Sequence, residues 1–274
     1  MSLVQAIVLG VVQGLTEFLP VSSSGHLRIV PAFVGWDDPG AAFTAVIQLG
    51  TMAAVLLYFR QDLLRIATAW LASLRDPARR GTLDARLGWY LIFGTVPIVI
   101  FGVAFSDQIE NGARDLYLIG AMLVVFGFVL LAAEAVSRRD RELETITRRD
   151  AIVVGFAQAL ALVPGVSRSG ATISAGLLLG FDRVAAARFS FLLSVPAVVL
   201  SGLYELKDVV NGSAEGAVGL GPTAVATVLA FITGYASIAF LLRFLTTHST
   251  AVFVGYRVVL GGAVLALVAS DAIA

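Results

Sequence analysis

One unusual segment occurs twice in this chain of 274 residues. Residues Ala6–Gly25 and Ala151–Gly170 are identical at half of their positions without a gap. In each copy an apolar stretch is interrupted near a proline, Pro20 or Pro164, continues through a cluster of serine and glycine, and becomes apolar again. Apolar helices that are broken at corresponding places in two halves of a chain are typical of membrane proteins with a site at an internal pseudo-symmetry axis.

The composition indicates a membrane protein. Hydrophobic residues make up 58% of the chain and charged residues 14%, and the mean hydropathy is +0.90. Several stretches of about 17–22 residues carry almost no charge, which is the length that crosses a bilayer. The chain contains no cysteine, so disulfides and thiolate metal sites are excluded. The formal net charge is zero, and we expect the lipid bilayer, and no nucleic acid, as a partner.

The apolar segments are of two kinds. Six continuous spans are predicted at Phe43–Phe59, Leu87–Phe105, Leu116–Val136, Phe189–Leu206, Thr223–Leu242 and Ala251–Ala269. The broken segments Leu3–Phe33 and Ala151–Leu179 are predicted to be re-entrant helical hairpins, because non-helical backbone at membrane depth must be buried in protein or line a cavity. Eight simple spans are the alternative, but they would leave Glu17 and Arg168 facing lipid.

The repeat extends beyond the two hairpins, since Phe43–Leu49 aligns with Phe189–Val195. We expect a single membrane domain over residues 1–274, with a first repeat at residues 1–140 and a second at residues 148–274. Each repeat would contain one hairpin and three spans, and an odd number of spans inverts the second repeat relative to the first. The predicted fold class is therefore an all-α integral membrane protein with an inverted-topology repeat.

The loop charges predict the orientation. Arginines are concentrated at residues 60–86, 138–149, 183–188 and 243, which all fall on one side of the predicted topology. The opposite loops contain five acidic residues and two cations: Asp107, Glu110, Asp115, Asp208, Glu215, Arg114 and Lys207. Basic loops mark the cytoplasmic side, so both termini and the opening of the site are expected on the outer side.

Polar side chains at the first break supply candidate chemistry. Gln13 and Glu17 are four residues apart and share a helix face. After Pro20, the next helix opens with capping serines and a histidine: Ser22, Ser23, Ser24, Gly25 and His26. A helix N-terminus presents free N–H groups and a partial positive charge, which together suit a phosphate group. His26 is expected on the same side of this helix as Ser23.

The second break repeats this pattern with a cation. Its polar residues are Ser167, Arg168, Ser169, Gly170 and Thr172. Arg168 takes the place of Ser23, and an arginine fork matches phosphate oxygens. A charged group at a helix centre in lipid costs about 2.5–3.5 kcal/mol, so Glu17 and Arg168 each require a partner or substrate. The two could instead form only a structural ion pair, and the serines and Gln13 could serve only packing.

Arg257 is a further cation, inside the last predicted span. We expect its side chain to reach the cytoplasmic edge of the membrane.

Residues 13–27 and 164–172 resemble the two signature motifs of the bacitracin-resistance type undecaprenyl-diphosphate phosphatases. The resemblance covers nearly the whole chain. It implies a bacterial inner-membrane enzyme that hydrolyses undecaprenyl diphosphate to undecaprenyl phosphate and inorganic phosphate. This reaction would recycle the cell-wall lipid carrier and confer bacitracin resistance, because bacitracin and the enzyme compete for one lipid.

By motif position, the resemblance implies catalytic roles for Glu17, Ser23, His26 and Arg168. The substrate-binding residues would be Gln13, Ser22, Ser24, Gly25, Ser167, Ser169, Gly170 and Thr172. The family's dependence on divalent cations implies Mg²⁺ or Ca²⁺, with Glu17 as its protein ligand. The family accepts glutamate or glutamine at position 13, and the glutamine found here weakens an anionic role at that position.

Several questions stay open at this stage. The nucleophile is Ser23 with His26 as general base, His26 itself, or water. A transporter or flippase of prenyl phosphate lipids is the alternative function, because inverted repeats with broken helices also occur in transporters. The sequence leaves a homodimer open.

Overall fold

The computed structural model of the chain describes residues 1–106, 115–210 and 219–273. The described residues form eleven α-helices and no strand. They are α1 (Leu3–Phe18), α2 (Ser23–Val34), α3 (Gly40–Tyr58), α4 (Arg60–Arg75), α5 (Leu83–Ala104), α6 (Leu116–Val136), α7 (Arg148–Ala159), α8 (Arg168–Leu178), α9 (Arg183–Val210), α10 (Leu220–Phe244) and α11 (Ala251–Ala269).

Five of these helices are long and apolar enough to cross a membrane, namely α5, α6, α9, α10 and α11. The predicted spans Leu116–Val136 and Ala251–Ala269 coincide with α6 and α11. Three more predicted spans fall largely within the longer helices α5, α9 and α10. The sixth, Phe43–Phe59, falls largely within α3, which meets the criterion for a span only together with α4. The all-α membrane fold is therefore confirmed.

The region after Phe59 differs from its predicted form as a loop. It continues as helix α4, which is bent by 73° from α3, and the pair would make a sixth span only if it crosses as one unit. Ion pairs hold α4 in place: Asp62 accepts from Arg188 at 3.1 Å, and Arg65 contacts Asp84 at 2.9 Å. A helix that is anchored through its charged residues does not show the continuous apolar signal of a span.

Both broken segments have the predicted helix–break–helix form. Helix α1 ends at Phe18, two residues before Pro20, and Ser22 caps α2. Helix α7 ends at Ala159 and is followed by the 3-10 turn Leu160–Leu162, and Ser167 caps α8. The first break comprises residues 19–22, and the second break comprises residues 163–167. Whether these breaks lie at membrane depth stays a prediction.

Corresponding positions of the two copies have corresponding surroundings. Ser22 and Ser167 both have positive φ, 75° and 74°. A Cβ at Gly10 would lie 2.4 Å from the Ala226 carbonyl oxygen, and one at Gly155 would lie 2.5 Å from the Gly94 carbonyl oxygen. Small residues at these positions let two helix backbones touch, which is a common way for membrane helices to pack.

The hairpins pack across the proposed repeats. Helix α1 packs against α10 of the second half, and α7 packs against α5 of the first. Helices α6 and α11, the last helix of each half, pack against each other. Each hairpin is therefore supported by a long helix from the other half, which brings the two breaks together. The inverted orientation and the repeat boundaries at 1–140 and 148–274 stay predictions.

Two ionic clusters tie the helix ends that carry the basic loops. Glu134 accepts hydrogen bonds from Arg183 Nε at 2.8 Å, from Arg139 at 3.0 Å and from Thr250 Oγ1 at 2.8 Å. Arg141 donates to Asp150 at 2.7 Å, and this hydrogen bond raises the pKa of the Arg141 guanidinium above its ordinary value.

Most of the charged residues in the opposite loops lie outside the described residues. Asp107, Glu110, Arg114 and Glu215, on which the predicted orientation partly rests, are outside the described residues.

Candidate functional site

The two breaks meet at an ion pair between Glu17 and Arg168. Arg168 Nη2 donates to Glu17 Oε1. Only 7% of the Glu17 side chain and 18% of the Arg168 side chain are exposed. Burying a pair of charges is unfavourable unless they are paired and hydrogen-bonded, and these two residues come from different halves of the chain. The two breaks therefore meet at these two charged groups.

Glu17 also collects the polar side chains of its own hairpin. Its Oε2 accepts the Ser23 hydroxyl at 2.6 Å and the Gln13 amide at 3.2 Å. The carboxylate thus binds three donors, one of them a hydroxyl held at the first residue of α2. A hydroxyl that donates to a carboxylate has its oxygen lone pairs free for an electrophile, which is the arrangement of an activated nucleophile.

The interpretation that pairs Ser23 with His26 as general base has no hydrogen bond between these two side chains in the structure. His26 Nδ1 lies 2.7 Å from the Ser22 carbonyl oxygen, and Nε2 lies 2.6 Å from the Tyr256 hydroxyl. A carbonyl only accepts, so Nδ1 donates and the neutral ring accepts the Tyr256 proton at Nε2. The His26 and Tyr256 rings also stack, with centroids 5.5 Å apart. The sequence spacing placed His26 one turn beyond Ser23, but the ring turns toward α11.

The serines at the breaks cap the two helices. Ser22 Oγ accepts from the Gly25 amide at 3.4 Å, and Ser167 Oγ accepts from the Gly170 amide at 3.1 Å. Both have φ values that are unusual for a residue with a side chain. The capping roles predicted from the sequence are confirmed for Ser22 and Ser167.

The serines two residues after the caps, Ser24 and Ser169, differ in exposure. Ser24 Oγ lies 3.3 Å from Ser22 Oγ, and Ser24 is exposed. Ser169 is buried and donates to the Leu19 carbonyl at 2.9 Å, which ties the second hairpin to the first break. Ser169 thus forms a link between the hairpins in addition to lining the site.

The remaining predicted binding residues lie at or behind the breaks. A Cβ at Gly25 would lie 3.2 Å from Ile119, and one at Gly170 would lie 2.9 Å from Arg257 Nη1, so both glycines permit close packing. Thr172 is fully buried and its Oγ1 lies 2.6 Å from Ser190 Oγ, between α8 and α9. The structure therefore places Thr172 one turn deeper than the ion pair.

A small pocket opens at the ion pair. It is lined by Glu17, Phe18, Arg168, Ser169, Ser190, Phe191 and Ser194. The sequence reasoning missed Ser190 and Ser194, which are spaced four residues apart within a long apolar helix and so share one face. The volume of the pocket is about 10 Å³, which is room for about one water molecule, so a larger anion can enter only when the ion pair opens. Two hydroxyls, a guanidinium and the N-terminus of α8 lie nearby as donors for anion oxygens.

The predicted position of Arg257 at the membrane edge is wrong. Its side chain has 0% exposure and lies in the interior beside both breaks. The Arg257 side chain does not extend along α11 to reach water. Its guanidinium instead donates hydrogen bonds to backbone carbonyls of both breaks inside the protein.

An apolar groove of about 600 Å³ runs beside the second break. Its lining includes Phe101, Phe105, Leu118, Phe156, Leu162 and Pro164. The groove is open on one side and almost free of polar surface, so it suits a hydrocarbon chain.

The oxygen donors around Glu17 decide how a divalent cation could be held. The described residues contain no group of three or more His, Asp or Glu side chains that could hold a metal ion. Glu17 is the carboxylate of the site, and Ser23 and Gln13 add neutral oxygens beside it. This set fits a hard cation only if substrate phosphates complete the coordination shell.

Comparison with known proteins gives a consistent result. The profile of the family described as bacitracin resistance protein BacA matches residues 6–263. A protein of Nocardioides sp. named undecaprenyl-diphosphatase is 59% identical over 98% of this chain and 98% of its own length. Proteins of the same name from Mycolicibacterium smegmatis and Paenarthrobacter aurescens are 56% and 52% identical, each over 100% of this chain and 99% of its own length.

Proposed function

The chain belongs to the bacitracin resistance protein BacA family, and on that premise we propose that it hydrolyses undecaprenyl diphosphate to undecaprenyl phosphate and inorganic phosphate. The observation that carries the proposal is the arrangement around Glu17, which binds a hydroxyl and a guanidinium from opposite halves of the chain at the edge of a pocket. A hydroxyl nucleophile beside a cation is one arrangement that supports phosphoryl transfer.

The diphosphate would bind at the Glu17–Arg168 pair, in the pocket between α1, α8 and α9, which would widen as the pair opens. Arg168 would turn from Glu17 toward the phosphate oxygens, where its fork offers two parallel hydrogen bonds. Ser190 and Ser194 line the same pocket and would turn their hydroxyls from Thr172 and from the Phe191 carbonyl toward the remaining oxygens. The apolar groove beside the second break suits the prenyl chain. Catalysis would consist mostly of positioning and charge stabilisation, as is general for phosphoryl transfer.

Ser23 is the nucleophile in this proposal, and Glu17 accepts its proton. Ser23 Oγ forms a bond to the terminal phosphorus while the anhydride P–O bond breaks and undecaprenyl phosphate leaves. Water then attacks the phosphoserine, inorganic phosphate leaves, and the Ser23 hydroxyl is restored. The support is the 2.6 Å bond from Ser23 to Glu17, whereas both ring nitrogens of His26 are engaged elsewhere. His26 would hold the carbonyl of the capping residue Ser22 and so orient the first turn of α2.

A divalent cation, Mg²⁺ or Ca²⁺, would be held by Glu17 together with the diphosphate oxygens and would neutralise part of their charge. Gln13 is neutral, so its amide would orient Glu17 and would not add a second carboxylate.

The membrane arrangement is part of the same proposal. The second half would be inverted relative to the first, both termini would lie on the periplasmic side of the inner membrane, and the site would open there. The arginine-rich loops support this orientation. Bacitracin resistance would follow because the enzyme and the antibiotic compete for undecaprenyl diphosphate, and a homodimer is compatible with the proposal.

Release of inorganic phosphate from undecaprenyl diphosphate by the purified chain in detergent tests this function. We expect release that stops with Arg168→Met, which keeps an unbranched stem but lacks the guanidinium and its charge. A chain that binds the lipid and moves it across liposome membranes without releasing phosphate would support a flippase and contradict the proposal.

A further inference from the structure

Arg257 occupies a special position between the two breaks. Arg257 belongs to α11, and its side chain is completely buried in the protein interior. Its guanidinium donates to five backbone carbonyls. Nε donates to Leu123 at 3.2 Å, Nη1 to Pro20 at 3.1 Å, and Nη2 to Met122, Gly165 and Val166 at 3.3, 3.0 and 3.0 Å.

The carbonyls of Pro20 and Gly165 occupy equivalent positions in the two breaks. In the gapless alignment of Ala6–Gly25 with Ala151–Gly170, Pro20 corresponds to Gly165. One guanidinium therefore binds the same point of both breaks, with Nη1 on the first and Nη2 on the second. A planar fork with five donors in fixed directions can do this, whereas an ammonium group presents its donors from a single atom.

These carbonyls precede strained residues. Pro20 and Gly165 each lie two residues before a capping serine with positive φ, Ser22 at 75° and Ser167 at 74°. Such backbone costs about 1–3 kcal/mol per residue and persists only where its surroundings fix it. Arg257 donates a charged hydrogen bond to each break at the same position, two residues before the strained serine.

We propose that Arg257 is a positioning residue that fixes the distance between the two breaks, and with it the distance between the half-sites of Glu17 and Arg168. Two other contacts bridge the hairpins here, the Glu17–Arg168 pair and the bond from Ser169 to the Leu19 carbonyl.

The reason for the additional bridge rests on the proposed function. When Arg168 turns toward a diphosphate, its contact with Glu17 weakens. Arg257 does not line the pocket, so its bonds to the two breaks persist through the reaction. The half-sites then keep their spacing at the moment when the ion pair opens.

Distances between the hairpins test the proposal directly. The chain lacks cysteine, so Leu15→Cys and Leu160→Cys would introduce one spin label on each hairpin, at side chains that are 44% and 49% exposed. Double electron–electron resonance on the labelled full chain is expected to give a narrow distance distribution. Arg257→Met should broaden or shift it, and Arg257→Lys should do the same, because it retains the charge without the fork.

Glu134→Gln is the matched control. It disrupts a buried ionic cluster on α6, the helix that packs against α11, but this cluster lies away from the breaks. The control should lower thermal stability and leave the label distance unchanged. If Arg257→Met is not recovered as folded protein, Arg257→Lys decides the question.

Activity provides a second readout. A misplacement of about 1 Å costs about 10²-fold in rate, so we expect kcat/KM to fall by about 10²-fold in both Arg257 variants. An unchanged distance distribution in the folded Arg257 variants would overturn the positioning role. If the Arg257 variants change the distance distribution but the parent chain releases no phosphate, the proposed function is contradicted. The positioning role of Arg257 then still stands.

Discussion

Removing the charge of Glu17 while keeping its shape should nearly abolish phosphate release. Glu17→Gln removes the carboxylate that would accept the Ser23 proton, and a positioned proton acceptor contributes about 10²–10⁴-fold to a rate. This corresponds to about 3–5 kcal/mol of the barrier. Since about 1.4 kcal/mol corresponds to a factor of ten, kcat/KM should fall by about 10²–10⁴-fold.

Gln13→Ala is the comparison variant. It removes one contact to the same carboxylate, and a hydrogen bond to a charged group contributes about 1.5–3 kcal/mol, with the 3.2 Å length favouring the lower end. The expected loss in kcat/KM is about tenfold. Both variants would be assayed by phosphate release in detergent after size-exclusion chromatography and a thermal melt confirm folding. The reasoning would be refuted if folded Gln13→Ala were as inactive as Glu17→Gln, or if Glu17→Gln kept more than about a tenth of the parent activity.

Three further predictions follow from the site and the topology. Arg168→Lys keeps the charge but loses the fork, so phosphate release should fall by about 10²-fold or more, and near-normal turnover would show that a point charge is sufficient. Acid quench during turnover should trap an acid-stable phosphoenzyme that is absent in Ser23→Ala; an acid-labile species lost in His26→Ala would assign the attack to His26, and no phosphoenzyme would favour water. Gly81→Cys and Ser270→Cys, at exposed positions, should react with an impermeant reagent from opposite sides of the membrane, and labelling of Gly81→Cys from outside intact cells would reverse the orientation.

The sequence predicted the parts of the fold that depend on local patterns. Helices α6 and α11 were predicted to the residue because each is a long apolar run with a single charged residue, bounded by polar residues at both ends. The capping roles of Ser22 and Ser167 followed from their places after a proline. Helix α4 was missed because its charged residues form ion pairs with distant helices, and its sequence lacks an apolar run of membrane-spanning length.

The site was predicted less completely because its contacts join distant segments. Convergence of Glu17 and Arg168 could be expected, since neither charge is tolerated alone in an apolar environment. The partner of Ser23 could not be read from spacing, because His26 is drawn away by Tyr256 on α11. The position of Arg257 depends on carbonyls of both breaks, which come together only in the folded chain.

The central claim is that one catalytic site is shared between the two hairpins, and a double-mutant cycle tests it most directly. The phosphate-release kcat/KM of Glu17→Gln, Arg168→Met and the double variant would be compared with that of the parent chain. Residues that act in one site lose activity together, so the double variant should be about as impaired as the worse single variant. Losses that multiply independently would mean that Glu17 and Arg168 act separately and would contradict the shared site.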